Sequence, residues 1–208
     1  SEEAKRRLKP TLDSGNVEPR KKSFPLQKLL TSLQEQFKEF SSKKSINFQV
    51  LPSEFSVYSD PNLLYRILQN LVGNAVRYTP EGRILITNRI KNNEIQISVW
   101  DTGIGIQKEF LNDIFEEFKQ YHNPKIVTEE PGLGLGLSIS QRTADMLGHR
   151  ISVKSKFGKG SVFHLYIEIA KNLTQNYQVG IERPEFKVGS NTIKVLCIDN
   201  PDAKLPLE

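Results

Sequence analysis

The sequence predicts an α+β protein, a two-layer sandwich with helices packed on one face of a sheet, and three observations carry that prediction. Two stretches have a one-sided apolar stripe at helical spacing. A pair of alternating strands follows, joined at Asn92-Asn93, and a third helix then precedes two strands around Phe157-Gly158-Lys159-Gly160. Helices and antiparallel hairpins in this order bury their apolar sides against one another in two layers.

The elements follow in chain order. Residues 1–23 are polar, with a turn signal in DSGN (13–16), and read as a lead-in. Leu26, Leu29, Leu30, Leu33, Phe37 and Phe40 give helical spacing over 26–40, with Pro25 near the start. INFQVL (46–51) alternates as a strand does. Asp60 caps a second helix with Pro61 in its first turn, and Leu64, Ile67, Leu68, Leu71, Val72, Ala75 and Val76 form its buried face. Gly82 opens the strand pair RILITNRI (83–90) and EIQISVWD (94–101). LSISQRTADML (137–147) is a further helix ended by Gly148, and RISVKSK (150–156) and SVFHLYIEI (161–169) are the last strands of a domain running over 24–170. Residues 171–191 then read as a linker, and TIKVLCID (192–199) as one isolated strand within a 192–208 tail.

Bulk properties narrow the class. A chain of 208 residues, 37% hydrophobic and 25% charged, holds one well-buried domain plus tails, or two small domains. The net charge of +5 and pI near 9.2 suit an anionic ligand. The densest basic run (Lys5, Arg6, Arg7, Lys9, then Arg20, Lys21, Lys22) falls in the polar lead-in and reads as a solvated tail, so no nucleic-acid partner is expected. No apolar run reaches the roughly 18–20 residues that span a bilayer, and no signal peptide opens the sequence. A cytoplasmic location is expected for this piece, with membrane segments outside it left open. The single cysteine, Cys197, excludes an internal disulfide framework and a cysteine-rich zinc site.

Asn70 and Asn74 are four apart and share a helix face. A carboxamide oxygen is a hard ligand suited to Mg2+, although an Asn pair also makes ordinary helix-surface hydrogen bonds. DTGIGI (101–106) puts an acid at a strand end followed by two glycines, which let backbone approach a ligand. Asp101 suits the exocyclic amine of adenine, a charge-assisted bond contributing roughly 1.5–3 kcal/mol, whereas guanine would face the carboxylate with an acceptor. A plain D-x-G turn is the other reading. GLGLGL (132–137) leads into a helix and resembles a phosphate cradle, while glycine-rich loops also occur as simple turns. Between FEEF (115–118) and that loop, YHNPKIVTEEP (121–131) is polar and proline-punctuated, the pattern of a lid over about 119–135.

Taken in order, NLVGNAVRYT, DTGIGI, FEEF and GLGLGL resemble the asparagine box, first glycine box, phenylalanine box and second glycine box of the catalytic, ATP-binding domain of sensor histidine kinases. That group shares a wider family with gyrase, the mismatch-repair protein and a heat-shock chaperone. FGKGSVF (157–163) matches a further glycine segment, and the resemblance covers about residues 24–169. It implies the Bergerat ATP-binding fold, with a mixed, mostly antiparallel sheet, and ATP and Mg2+ as ligands. Asn74 is then the Mg2+ ligand, with Asn70 beside the metal and phosphates. Arg77 reaches phosphate oxygens and Tyr78 lies next to the nucleotide. Asp101 reads adenine within a pocket of Gly103, Ile104, Gly105 and Ile106. Phe115 and Phe118 anchor the lid base, and Gly132, Leu133, Gly134, Leu135, Gly136 and Leu137 line the triphosphate.

The resemblance also implies a reaction. ATP-hydrolysing relatives carry at the position of Asn70 a glutamate that activates water, and an amide cannot accept that proton. The family's kinases instead transfer the γ-phosphoryl group to a histidine of a dimerisation hairpin, and from there to a response-regulator receiver domain. His122, His149 and His164 are the only histidines, none has the adjacent acid of the family's acceptor, and each reads as a surface or structural residue. TLDSGNVEPR (11–20) resembles the exit from the hairpin's second helix, which places the acceptor upstream of Ser1; residues 1–10 do not read as that helix. TIKVLCIDN (192–200) resembles the first strand of a receiver, with Asp199 at the acid position and Asn200 and Pro201 departing from the pattern. Three functions are set against one another: a kinase catalytic domain, a non-catalytic ATP-sensing or docking module of the same fold, and an ATPase-type clamp, which Asn70 disfavours.

Overall fold

The computed structural model describes residues 18–119, 134–169, 186–188 and 191–193. The chain divides into two compact units, 1–174 and 175–208. The first contains β1 (Lys22–Pro25), α1 (Leu26–Lys43), β2 (Ile46–Val50), β3 (Ser56–Ser59), α2 (Pro61–Tyr78), β4 (Gly82–Lys91), β5 (Glu94–Asp101), a short 3₁₀ turn at Lys108–Phe110, α3 (Gly136–Met146), β6 (Arg150–Lys156) and β7 (Gly160–Glu168).

Five strands form one sheet in the order β2-β4-β5-β7-β6. β2 runs parallel to β4 and every other pairing is antiparallel, so the sheet is mixed and mostly antiparallel. Alternation decides which face is covered. Ile84 and Ile86, then Ile95, Ile97 and Val99, then Phe163, Leu165 and Ile167 bury on one side, against Leu26, Leu30, Leu33 and Phe37 of α1 and the apolar stripe of α2. The opposite face is polar and aromatic. There Ser98 Oγ pairs with His164 Nδ1 at 2.8 Å, Gln96 Nε2 donates to Tyr166 Oη at 3.1 Å, and the Arg150 guanidinium stacks over the Tyr166 ring.

The β4–β5 turn is tight because Asn92 and Asn93 take the left-handed conformation, with φ of 51° and 61°. Such two-residue turns match the twist of paired strands, and asparagine tolerates the geometry. α2 begins where expected, with Asp60 accepting from the backbone N–H of Asn62 at 2.9 Å and of Leu63 at 3.1 Å.

Several boundaries move. α1 extends three residues past Phe40, and α3 begins and ends one residue earlier than 137–147. The lead-in is not merely polar tail at its end. Lys22–Pro25 pairs antiparallel with Ser56–Ser59 in a two-stranded ribbon. Four-residue strands of mixed polarity carry no legible period, which is why neither was expected. The ribbon ties the lead-in to the domain through Arg20 N–H on Asp60 Oδ2 and Lys21 Nζ on the Leu147 carbonyl, both at 2.8 Å. In the second unit, Phe186–Val188 pairs with Asn191–Ile193, so the expected linker contains a strand. Residues 1–17, the lid interior 120–133, and the remainder of TIKVLCID with Asp199 lie outside the described residues. No helix among the described residues is long and apolar enough to cross a membrane.

Burial alone would raise the Asp60 carboxyl, but N–H groups of Leu63, Arg20 and Asn62 outweigh it and hold the pKa below 3.8. Its stabilisation is therefore complete above that value and lost as pH falls through the folded-state pKa. Asp60→Ala should cost about 1–2 kcal/mol by urea unfolding at pH 7. The difference from wild type should shrink in acid.

Candidate functional site

α2 is the spine of the site. Asn70, Asn74, Arg77 and Tyr78 fall on it in sequence, spanning about 12 Å from Asn70 to Tyr78 at 1.5 Å per residue. Two separate loops are fixed to the two ends of that span.

At the C-terminal end, the loop after β5 docks on the helix. Ile104 N–H donates to the Tyr78 carbonyl at 3.2 Å, and a Cβ on Gly103 would collide with that same oxygen. Gly105 takes φ +68°, and a Cβ there would strike the Lys156 carbonyl. Gly158 N–H donates to the Ile104 carbonyl at 2.7 Å and Ile106 N–H to Ser155 Oγ at 2.7 Å. The Phe157–Gly160 turn is thereby latched to the first glycine box. Ile104 and Ile106 are half-buried on this loop.

Asp101 ends β5 and is 8% exposed. The N–H groups of Gly103 and Ser161 both donate to Oδ1, at 2.9 and 3.3 Å. Oδ2 has no hydrogen bond among the described residues. Burial pushes the carboxyl up to about 6, against the opposing pull of the Gly103 and Ser161 amides.

At the other end, α3 meets Asn70. A Cβ on Gly136 would collide with Asn70 Oδ1, so glycine alone lets the helix start approach the carboxamide. Asn70 Nδ2 donates to Ser140 Oγ at 2.7 Å. Asn74, by contrast, makes no side-chain hydrogen bond among the described residues, and Arg77 no ion pair among them. Both are half-buried, whereas the Tyr78 side chain is exposed.

The described residues on either side of 120–133 meet through one backbone bond. Phe118, at φ +62°, donates its N–H to the Gly134 carbonyl at 3.1 Å, which joins the two ends of segment 119–133. Arg142 of α3 pairs with Glu117 beside it. Phe115 and Leu137 pack against the core, and Leu135 is buried as the N-cap residue of α3. Gly132, Leu133 and His122 lie outside the described residues. His149 and His164 are 7% and 6% exposed, and burial pulls both down to about 4, so each is neutral near pH 7. His149 has its Nε2 within 2.7 Å of Ser59 Oγ. These are structural histidines.

Sequence reasoning missed Ser140 and Ser161. A serine one helical turn after Gly136 was a readable signal for the first. Ser161 acts through its backbone N–H, which carries no side-chain signature.

The donor set fits a magnesium nucleotide. Among the described residues no cluster of three His, Cys, Asp or Glu side chains could cage a metal. What is present is a hard carboxamide oxygen at Asn74, and Mg2+ takes few protein ligands beside phosphates and water. Asp101 Oδ2, which has no hydrogen bond among the described residues, suits an amine donor. The start of α3 has no side-chain cap on its backbone N–H groups, the pattern of an anion-binding helix start.

Residues 59–171 match the family described as histidine kinase-, DNA gyrase B-, and HSP90-like ATPase. The autoinducer 2 sensor kinase/phosphatase LuxQ of Vibrio vulnificus is 31% identical over 199 residues, covering 91% of this chain and 23% of that protein. Full-length ShkA, solved with AMPPNP, matches at TM-score 0.64 and 28% identity over 76% of this chain and 33% of its own. The catalytic domain of histidine kinase ThkA matches at TM-score 0.62 and 28% identity over 72% of this chain and 96% of its own. ThkA in complex with the response regulator TrrA matches at TM-score 0.64 and 25% identity over 83% and 49%. The chain therefore belongs to the histidine kinase-, DNA gyrase B-, and HSP90-like ATPase family. Its fold is that of a histidine kinase catalytic domain, and it spans under a quarter of LuxQ, at 23%.

A carboxyl whose pKa rises on folding stabilises the native state fully below the unfolded value of 3.8, and that contribution is lost as pH climbs through about 6. Denaturant titrations across this window should show wild type losing stability relative to Asp101→Asn as pH rises. A pH-independent difference would contradict the burial assigned to Asp101.

Proposed function

We propose that this chain binds Mg-ATP and donates the γ-phosphoryl group to a histidine on a dimerisation hairpin. The single observation that supports it best is the layout of α2, with an adenine-type acid fixed at one end and an amide, Asn70, fixed against the phosphate-type helix start at the other. The family match and the AMPPNP complex of ShkA support the same nucleotide.

Asp101 Oδ2 accepts from the adenine amine, and Gly103, by its close approach to the Tyr78 carbonyl, fixes the loop that follows this acid. The start of α3 and Arg77 face the phosphates and offset charge that develops on the transferring group. Asn74 would hold Mg2+, and the ion would supply charge neutralisation at the phosphate oxygens. Asn70 lacks a basic carboxylate, so water near the γ-phosphate is not activated. The acceptor imidazole supplies its lone pair to phosphorus, the bond to the β–γ bridging oxygen breaks, and ADP leaves with that electron pair. The phosphorylated histidine then serves a response-regulator receiver domain.

Isothermal titration should show Mg2+-dependent ATP binding that Asn74→Ala and Asp101→Ala each weaken by at least about tenfold, the loss of one charge-assisted contact. Added hairpin carrying the acceptor histidine should become labelled from γ-labelled ATP, whereas the chain alone should not label itself. Undiminished binding in both variants would remove the site assignment. Tight ATP binding with no labelling of any hairpin would favour an ATP-sensing module instead.

A further inference from the structure

Ser140 stands apart from the other hydroxyls of α3. Ser138 Oγ donates to the Leu135 carbonyl and Thr143 Oγ1 to the Ile139 carbonyl, the usual return of a helical hydroxyl to its own backbone. Ser140, only 3% exposed, instead reaches across to α2 and accepts from Asn70 Nδ2 at 2.7 Å. Gly136 lies one turn earlier on the same face of α3, and Asn70 Oδ1 fills the space where its Cβ would be. The Asn70 carboxamide thus lies along α3, nitrogen at the second turn and oxygen at the first.

That order has an electrostatic reason. The first turn of a helix carries the positive end of its dipole and unpaired N–H groups, which favour an oxygen and oppose an amide NH2. Ser140 supplies the acceptor that the nitrogen needs once the oxygen is turned that way. The two ends of one side chain therefore fix the register of α3, which leads out of the lid, against α2, which carries the metal-side residues.

We propose that Ser140 is a positioning residue: it holds Asn70 with its carboxamide oxygen toward the phosphate end of the site and so couples α3 to the magnesium-bound state. This rests on the reading that the site binds Mg-ATP. Ser140 acts through Asn70, the side chain it holds. Partners that orient metal-side groups change metal affinity by about 10–100-fold when removed.

The test is calorimetric binding of AMPPNP with Mg2+ and with EDTA, for wild type, Ser140→Ala, Ser140→Thr, Asn70→Ala and Ser140→Ala/Asn70→Ala, with thermal unfolding of each. Ser140→Ala should keep EDTA affinity within about twofold and lose about tenfold of the gain that Mg2+ provides. Ser140→Thr, which keeps the hydroxyl, should recover that gain. The double variant should match Asn70→Ala alone. An unchanged magnesium gain in Ser140→Ala, or losses that multiply in the double variant, would overturn the proposal while leaving the Mg-ATP reading intact. A lower melting temperature as the sole effect would do the same. Absence of wild-type binding would overturn the Mg-ATP reading and this inference with it.

Discussion

Everything in the site hangs on how closely backbone approaches α2 at two points. At Tyr78 a carbonyl that has run out of helical partners accepts from Ile104, and the missing side chain of Gly103 makes the approach possible. At Asn70 the missing side chain of Gly136 lets the start of another helix press on a carboxamide. Neither contact contributes much alone, since a hydrogen bond nets about 1 kcal/mol. Their value is geometric, because a rigid helix sets the separation between them. The buried stripe of α2 against the sheet keeps that helix in place, so core packing and site geometry are one construction.

The same layout explains how glycines and polar groups divide the work. Gly103 and Gly105 mark where main chain meets main chain, and Gly136 where it meets a carboxamide. Asp101 has one oxygen satisfied by backbone amides, while the other keeps its accepting capacity in a buried setting that raises its pKa. Asn70 is anchored, whereas Asn74 makes no side-chain hydrogen bond among the described residues. Two asparagines four residues apart on one helix therefore have distinct environments, one fixed by α3 and one with its carboxamide available.

Much of this was legible in the sequence, for identifiable reasons. The stripe from Leu64 to Val76 has a clean 3.6-residue period, and the strands around Asn92-Asn93 a clean period of two, so α2, β4 and β5 were foreseen nearly to the residue. The β1–β3 ribbon was not, because four-residue strands offer no period and their pairing joins residues over thirty positions apart. Spacing alone put Asn70 and Asn74 on one helix face. It could not reveal that Gly136 and Ser140 would close on Asn70, since that contact crosses 70 residues of chain. The Phe118–Gly134 closure was hidden likewise, as a backbone bond leaves no mark in side-chain chemistry.

The most direct test of the account is a crystal structure of the chain with Mg2+ and AMPPNP. The account predicts Asn74 Oδ1 on the metal at about 2.0–2.1 Å, the usual Mg2+–oxygen distance. It also predicts Asp101 Oδ2 at about 2.9 Å from the adenine amine, with the phosphates over the start of α3. A metal held without Asn74, or an adenine lodged away from Asp101, would contradict it.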